Sequence, residues 1–97
     1  MNVRLLESAR RHLVEGFEFY EKQTSGLGKY FLDALFVEIG ALSRTGGIHA
    51  QRFGFHRCVC ARFPFAVYYL IDGNEVRVYA VLDCRRDPSR IRRELRH

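Results

Sequence analysis

The chain has 97 residues, 47% of them apolar and 28% charged. That composition excludes a disordered polypeptide and allows one modest core, so residues 1–97 are expected to form a single domain. The formal charge is +5 and 14 of the 16 basic residues are arginine, whose planar multi-donor head suits phosphates and carboxylates, so nucleic acid or an acidic protein segment is the expected partner.

The N-terminal MNVRLLESARR holds no apolar run long enough for a signal peptide or a membrane span. Three cysteines, an odd count, fit a reducing compartment. A cytoplasmic location without membrane contact is expected.

Asn2 to Leu6 reads as a short strand. From Ala9 the period changes: Ala9, Leu13, Gly16, Phe17 and Tyr20 share one helical face, and Arg11, Glu15, Glu18 and Lys22 the other. Ser8 is the expected N-cap, and TSGLG (24–28) breaks the helix. A second helix is predicted from Lys29 to Arg44, with a core stripe of Phe31, Leu35, Glu38, Ile39 and Leu42. Leu32 and Phe36 widen the stripe on one side, Tyr30, Ala34, Val37 and Ala41 on the other. The short loop between them predicts an antiparallel helical hairpin.

Gly46 and Gly47 end the hairpin, and Ile48 to Phe55 reads as a connection. Three strands follow, at His56–Phe63, Phe65–Ile71 and Glu75–Asp83. Asp72-Gly73-Asn74-Glu75 forms a tight turn, with Gly and Asn expected at positive φ. Asp87-Pro88 reads as an N-cap followed by proline at the first helical position. Ile91 and Leu95, four apart, give a short basic C-terminal helix one weak apolar edge. The order β-α-α-β-β-β-α predicts an α+β fold. The hairpin should pack on one face of a mainly antiparallel sheet and leave the other face open.

Several pieces in this order carry a resemblance: Gly54-Phe55-His56-Arg57, Arg62-Phe63-Pro64-Phe65, Tyr68-Tyr69, and Val76 onward to Arg85-Arg86-Asp87-Pro88. Together with the hairpin before them, they resemble the RelE/ParE superfamily, the toxins of type II toxin–antitoxin systems, also called plasmid stabilisation proteins. The resemblance implies a small cytoplasmic toxin without cofactor or metal. A cognate antitoxin, laid along it as an acidic or amphipathic tail, would neutralise it, and a homodimer or toxin–antitoxin hetero-oligomer is expected. RelE-like members cut messenger RNA on the ribosome without metal; ParE-like members inhibit DNA gyrase.

Cleavage without metal needs a base for the 2′-hydroxyl, cations for the phosphate and an acid for the leaving oxygen. Arg57, Arg62 and Arg85 are the candidate catalytic cations. Both lysines, Lys22 and Lys29, lie in the hairpin. No tyrosine follows Tyr79, the one late histidine is His97, and Asp83 stands where many relatives carry histidine. The arginines therefore lack an evident proton carrier. The long hairpin also resembles ParE-like members more, so gyrase inhibition is the leading expectation. Ribosome-dependent cleavage and a non-toxic basic binding module are the alternatives.

The target-binding candidates are Arg62, Arg77, Asp83, Arg85 and Arg86, with Asp83 orienting Arg85. For the antitoxin they are Tyr30, Phe36 and Val37 on the second helix and Tyr69 on the sheet. Tyr68 and Tyr69, being adjacent in a strand, must face opposite sides, which would put one on the open face. His56, Cys58 and Cys60 share one strand face, but i, i+2 and i+4 span about 14 Å of extended chain, too far for one tetrahedral zinc. The cysteines are expected to fill core or interface.

Overall fold

The structure is a computed structural model that describes residues 1–96; His97 lies outside them. Strand β1 (Asn2–Leu5) leads into helices α1 (Glu7–Gln23) and α2 (Leu27–Thr45). Strands β2 (Gln51–Arg52), β3 (Phe55–Val59), β4 (Phe65–Asp72) and β5 (Glu75–Asp83) follow, and α3 (Pro88–Leu95) ends the chain. The fold is α+β, with a five-stranded sheet ordered β1-β5-β4-β3-β2. β1 runs parallel to β5; the other pairs are antiparallel. No helix among the described residues is long and apolar enough to cross a membrane.

The helical hairpin buries the apolar centre of the stripe that its periodicity predicts, while Phe17 and Glu38 are only half-buried, Glu38 accepting from Ala61 N at 2.9 Å, and Tyr30, Phe36 and Val37 stay exposed. Ala9, Leu13, Tyr20, Phe31, Leu35, Ile39 and Leu42 pack with Val67, Tyr69, Val76, Val78 and Val81 of the sheet. Two glycines set the distance between the helices. A Cβ on Gly16 would lie 2.5 Å from the Phe31 ring, and one on Gly28 would lie 2.8 Å from the Phe17 carbonyl oxygen. Only glycine permits so close an approach.

Local chemistry corrects several boundaries. Leu6, not Ser8, is the N-cap of α1, without a side-chain hydrogen bond. Ser8 Oγ instead donates to the Tyr79 carbonyl 2.5 Å away, along the stretch of β5 that β1 is too short to cover. β3 stops at Val59 because residues 60–64 turn back, closed by the Cys60 N–H on the Phe65 carbonyl at 2.9 Å. In the β4–β5 turn Gly73 has φ +61°, but Asn74 is not at positive φ. The C-terminal cap is as expected: Asp87 accepts from Ser89 N at 2.9 Å, with Pro88 opening the helix.

The second sheet face is not open. Ile91 and Leu95 of α3 pack against Phe55, Ala66, Tyr68, Ala80 and Leu82 as a second core cluster. Each such side chain is worth about 1.5–3 kcal/mol when fully buried, enough to seat a helix of eight residues. Tyr68 and Tyr69 do face opposite sides, as pleating requires, yet both are 0% exposed. A bulge at this point pairs Tyr68 with Ala80 and Tyr69 with Val78, which leaves Tyr79 as the extra residue of β5.

Candidate functional site

The end of β5 carries the candidate site. Asp83 closes the strand, and both its oxygens engage Arg85. Oδ1 accepts from the Arg85 backbone N–H at 2.8 Å and from Nε at 3.0 Å, and Oδ2 accepts from Nη2 at 2.7 Å. The side-chain bond from Arg85 holds the Asp83 carboxyl below its ordinary range. The fork fixes the guanidinium without hiding it, since the Arg85 side chain is 65% exposed. Arg86 Nη1 lies 3.6 Å from Glu94 Oε1 of α3. The expected orientation of Arg85 by Asp83 is therefore present, and Arg85 still offers donors to an anion.

Beside the two arginines lies a recess of about 440 Å³ between α1 and the ends of β4 and β5, lined in part by His12, Glu15, Phe19, Asp83, Arg85 and Arg86. His12 is a residue that sequence reasoning missed. It is 4% exposed, and its Nδ1 accepts the Val81 N–H at 3.2 Å. Ser8 and His12, one turn apart on α1, thus satisfy successive exposed-edge groups of β5 in place of a paired strand. With Nδ1 accepting, Nε2 carries the proton. It is buried with no hydrogen-bond partner, and Glu94 Oε1 stands 3.8 Å away. Burial lowers the His12 pKa against the opposing pull of Glu94 and Glu15. The one available signal was its position at i+3 from Ala9 and i−4 from Gly16, within the core stripe.

The remaining candidates scatter. Arg77 sits near the opposite end of β5, paired with Glu75 at 2.6 Å and Asp72 at 3.0 Å. It braces the β4–β5 turn and does not join Arg85. Arg62 lines a separate recess of about 300 Å³ with Tyr30, Asp33, Val37 and Glu38. Arg57 shares its strand face with Phe55 of the α3-side cluster, and its Nε donates to Tyr68 Oη at 3.2 Å. Arg57, Arg62 and Arg85 thus occupy three different places and form no common phosphate cradle.

Tyr69 is a core residue rather than a surface contact. Its hydroxyl accepts from Gly47 N at 2.9 Å and meets His49 Nδ1 at 2.6 Å. Tyr30, Phe36 and Val37 are exposed, but they divide. Tyr30 and Val37 belong to the Arg62 recess, while Phe36 borders an apolar groove of about 330 Å³ with Leu13, Val14, Phe17 and Leu32. Cys58 and Cys60 are buried in the hairpin-side core, and burial pushes the Cys60 thiol up to about 12, far from a reactive thiolate.

No family model matches this chain, and no curated protein does. Among solved structures it is similar to a chain described as the chromosomal ParDE TA (toxin–antitoxin) system from P. aeruginosa. The TM-score is 0.69 at 15% sequence identity, over 84% of this chain and 92% of that one. The two proteins share a fold: a helical hairpin on a mostly antiparallel sheet, found in that system over nearly its whole chain.

Proposed function

We propose that this chain is the toxin component of a type II toxin–antitoxin module in the cytoplasm, and that it acts as a ParE-like inhibitor of DNA gyrase. The observation that carries this reading is the fold shared with a chain of a ParDE system at a TM-score of 0.69. The separation of Arg62, in a recess with Tyr30 and Val37, from Arg85, beside His12, supports binding over cleavage, and the Arg57 guanidinium is engaged by Tyr68. The target surface is the rim built by Asp83, Arg85 and Arg86. The cognate antitoxin docks on the outer face of the hairpin, where Tyr30, Phe36 and Val37 are exposed, and the formal charge of +5 favours an acidic one.

Ribosome-dependent RNA cleavage is the second reading, favoured by one observation: the His12 imidazole lines the same recess as Arg85 and Arg86. A proton carrier therefore stands nearer the arginines than the sequence suggested. Expression of the chain alone in bacteria divides the readings. DNA-damage signalling with filamentation is the expected result, and rapid translation arrest with cut transcripts contradicts it. Normal growth with verified soluble protein would leave only a non-toxic basic module.

A further inference from the structure

The second sheet face carries a feature that a toxin reading leaves unused. β2 and β3 are joined by a two-residue turn, Phe53-Gly54, because Arg52 pairs with Phe55. Both turn residues have positive φ, +59° for Phe53 and +84° for Gly54. Glycine adopts this conformation freely, whereas a bulky aromatic residue there is strained and rare. Phe53 is the only residue other than glycine so placed among the described residues.

The ring has two occupants. The guanidinium carbons of Arg52, from β2, and Arg92, from α3, each lie 5.3 Å from the Phe53 ring centroid. Two cations from separate elements are thus gathered on one aromatic platform. Arg96 follows at the end of the same helix. All three are exposed. Among the described residues none has a carboxylate within 4.0 Å, while Arg4, Arg77, Arg85 and Arg86 each do. Like charges held together without counter-charge favour an external anion.

We infer that the face built by α3 and the β2–β3 turn docks the phosphodiester backbone of a nucleic acid, with Arg52, Arg92 and Arg96 as phosphate contacts and Phe53 as the platform that positions the first two. The alternative partner, an acidic protein, fits less well. A protein partner needs apolar anchors, and none of the large exposed apolar side chains belongs to α3 or the β2–β3 turn. Val14, Phe19, Tyr30, Phe36 and Val37 all lie in the hairpin, across the sheet. A polyanion needs only cations spaced along a surface. The exposed apolar side chains thus concentrate in the hairpin; on the α3 side the exception is Val59, opposite Ala66 at the far end of β3 from the β2–β3 turn, so a protein held by the hairpin leaves the basic face free.

Fluorescence anisotropy tests this with the full chain and labelled 20-nucleotide DNA, RNA of the same sequence, and a 20-base-pair duplex. Three neutralised phosphates predict a log K against log salt slope of about −2 on single strands and about −2.7 on duplex. That corresponds to roughly 15- to 40-fold weaker binding between 50 and 200 mM salt. In the Arg52→Gln/Arg92→Gln variant the slope should become shallower by about 1.4–1.8, while Arg52→Lys/Arg92→Lys keeps it. Arg10→Gln/Arg44→Gln, on the hairpin, leaves the slope unchanged. Phe53→Asn tolerates the turn, keeps the circular dichroism spectrum and weakens binding several-fold. The strongest arm identifies the nucleic acid.

Absence of salt-dependent binding, or an unchanged slope in the glutamine variant, overturns the inference. So does a 20-residue polyglutamate that binds as tightly at 150 mM salt, which would mark a protein-binding face. Toxicity is read through Arg85 and Arg86, so the two proposals fail separately.

Discussion

His12→Asn gives the clearest test of how the sheet edge is held. Asparagine keeps an acceptor near the Nδ1 position for the Val81 N–H, now 3.2 Å from the imidazole, and removes the titrating ring. Burial lowers the His12 pKa in the folded protein from the ordinary 6.5, more than Glu94 and Glu15 raise it. As pH falls, the unfolded chain therefore takes up this proton first. The stability from a neutral, buried His12 is complete above about pH 6.5 and is lost below it. The loss runs at up to about 1.4 kcal/mol per pH unit until the folded form protonates too. Urea unfolding followed by circular dichroism at pH 5, 6, 7 and 8 measures it. The parent protein should lose more stability than His12→Asn between pH 7 and pH 5, with the two lines converging in slope above pH 7. Parallel lines across the whole range, or a steeper acid loss in the variant, would refute the buried neutral imidazole and its acceptor role on β5.

Gly16→Ala should destabilise the protein by about 1–2 kcal/mol in urea, because overpacking against the buried Phe31 ring outweighs the gain in helix propensity. Tyr69→Phe leaves Gly47 N–H and His49 Nδ1 without their shared partner, at an expected cost of about 1–3 kcal/mol in the same assay. Asp83→Asn replaces the second acceptor oxygen of the fork on Arg85 by a donor, weakening the anchor, and raises net charge together. If orientation of Arg85 governs target binding, the half-inhibitory concentration rises a few-fold; if bulk charge governs it, the value falls.

The sequence made some elements legible because their physics is local. The stripes on α1 and α2, the turn before Glu75 and the Asp87-Pro88 cap each follow from residues a few positions apart, and each is present. What was hidden depends on distant contacts. Nothing in NVRLL announces a parallel pairing with Val76 and Val78, which requires the whole chain to return. Ile91 and Leu95 looked like a weak edge because their worth depends on the pit formed by Phe55, Tyr68 and Leu82. His12 was obscured by its neighbours: a polar residue beside two arginines reads as surface until the edge of β5 facing β1 is seen to lack a partner strand beyond Val78. The candidate arginines are separated by tertiary placement too: Arg57 shares the α3-side face of β3, Arg62 lies in the turn after β3, and Arg77 lies near the opposite end of β5 from Arg85.

The proposed target surface rests on an oriented guanidinium at the rim of β5 rather than on net charge. Supercoiling of relaxed plasmid by purified gyrase, with and without the purified chain, tests this most directly. The parent protein should block supercoiling, and Arg85→Ala/Arg86→Ala, folded by circular dichroism, should not. Equal inhibition by both proteins would contradict the site, and no inhibition by the parent alongside ribosome-dependent transcript cleavage would contradict the target.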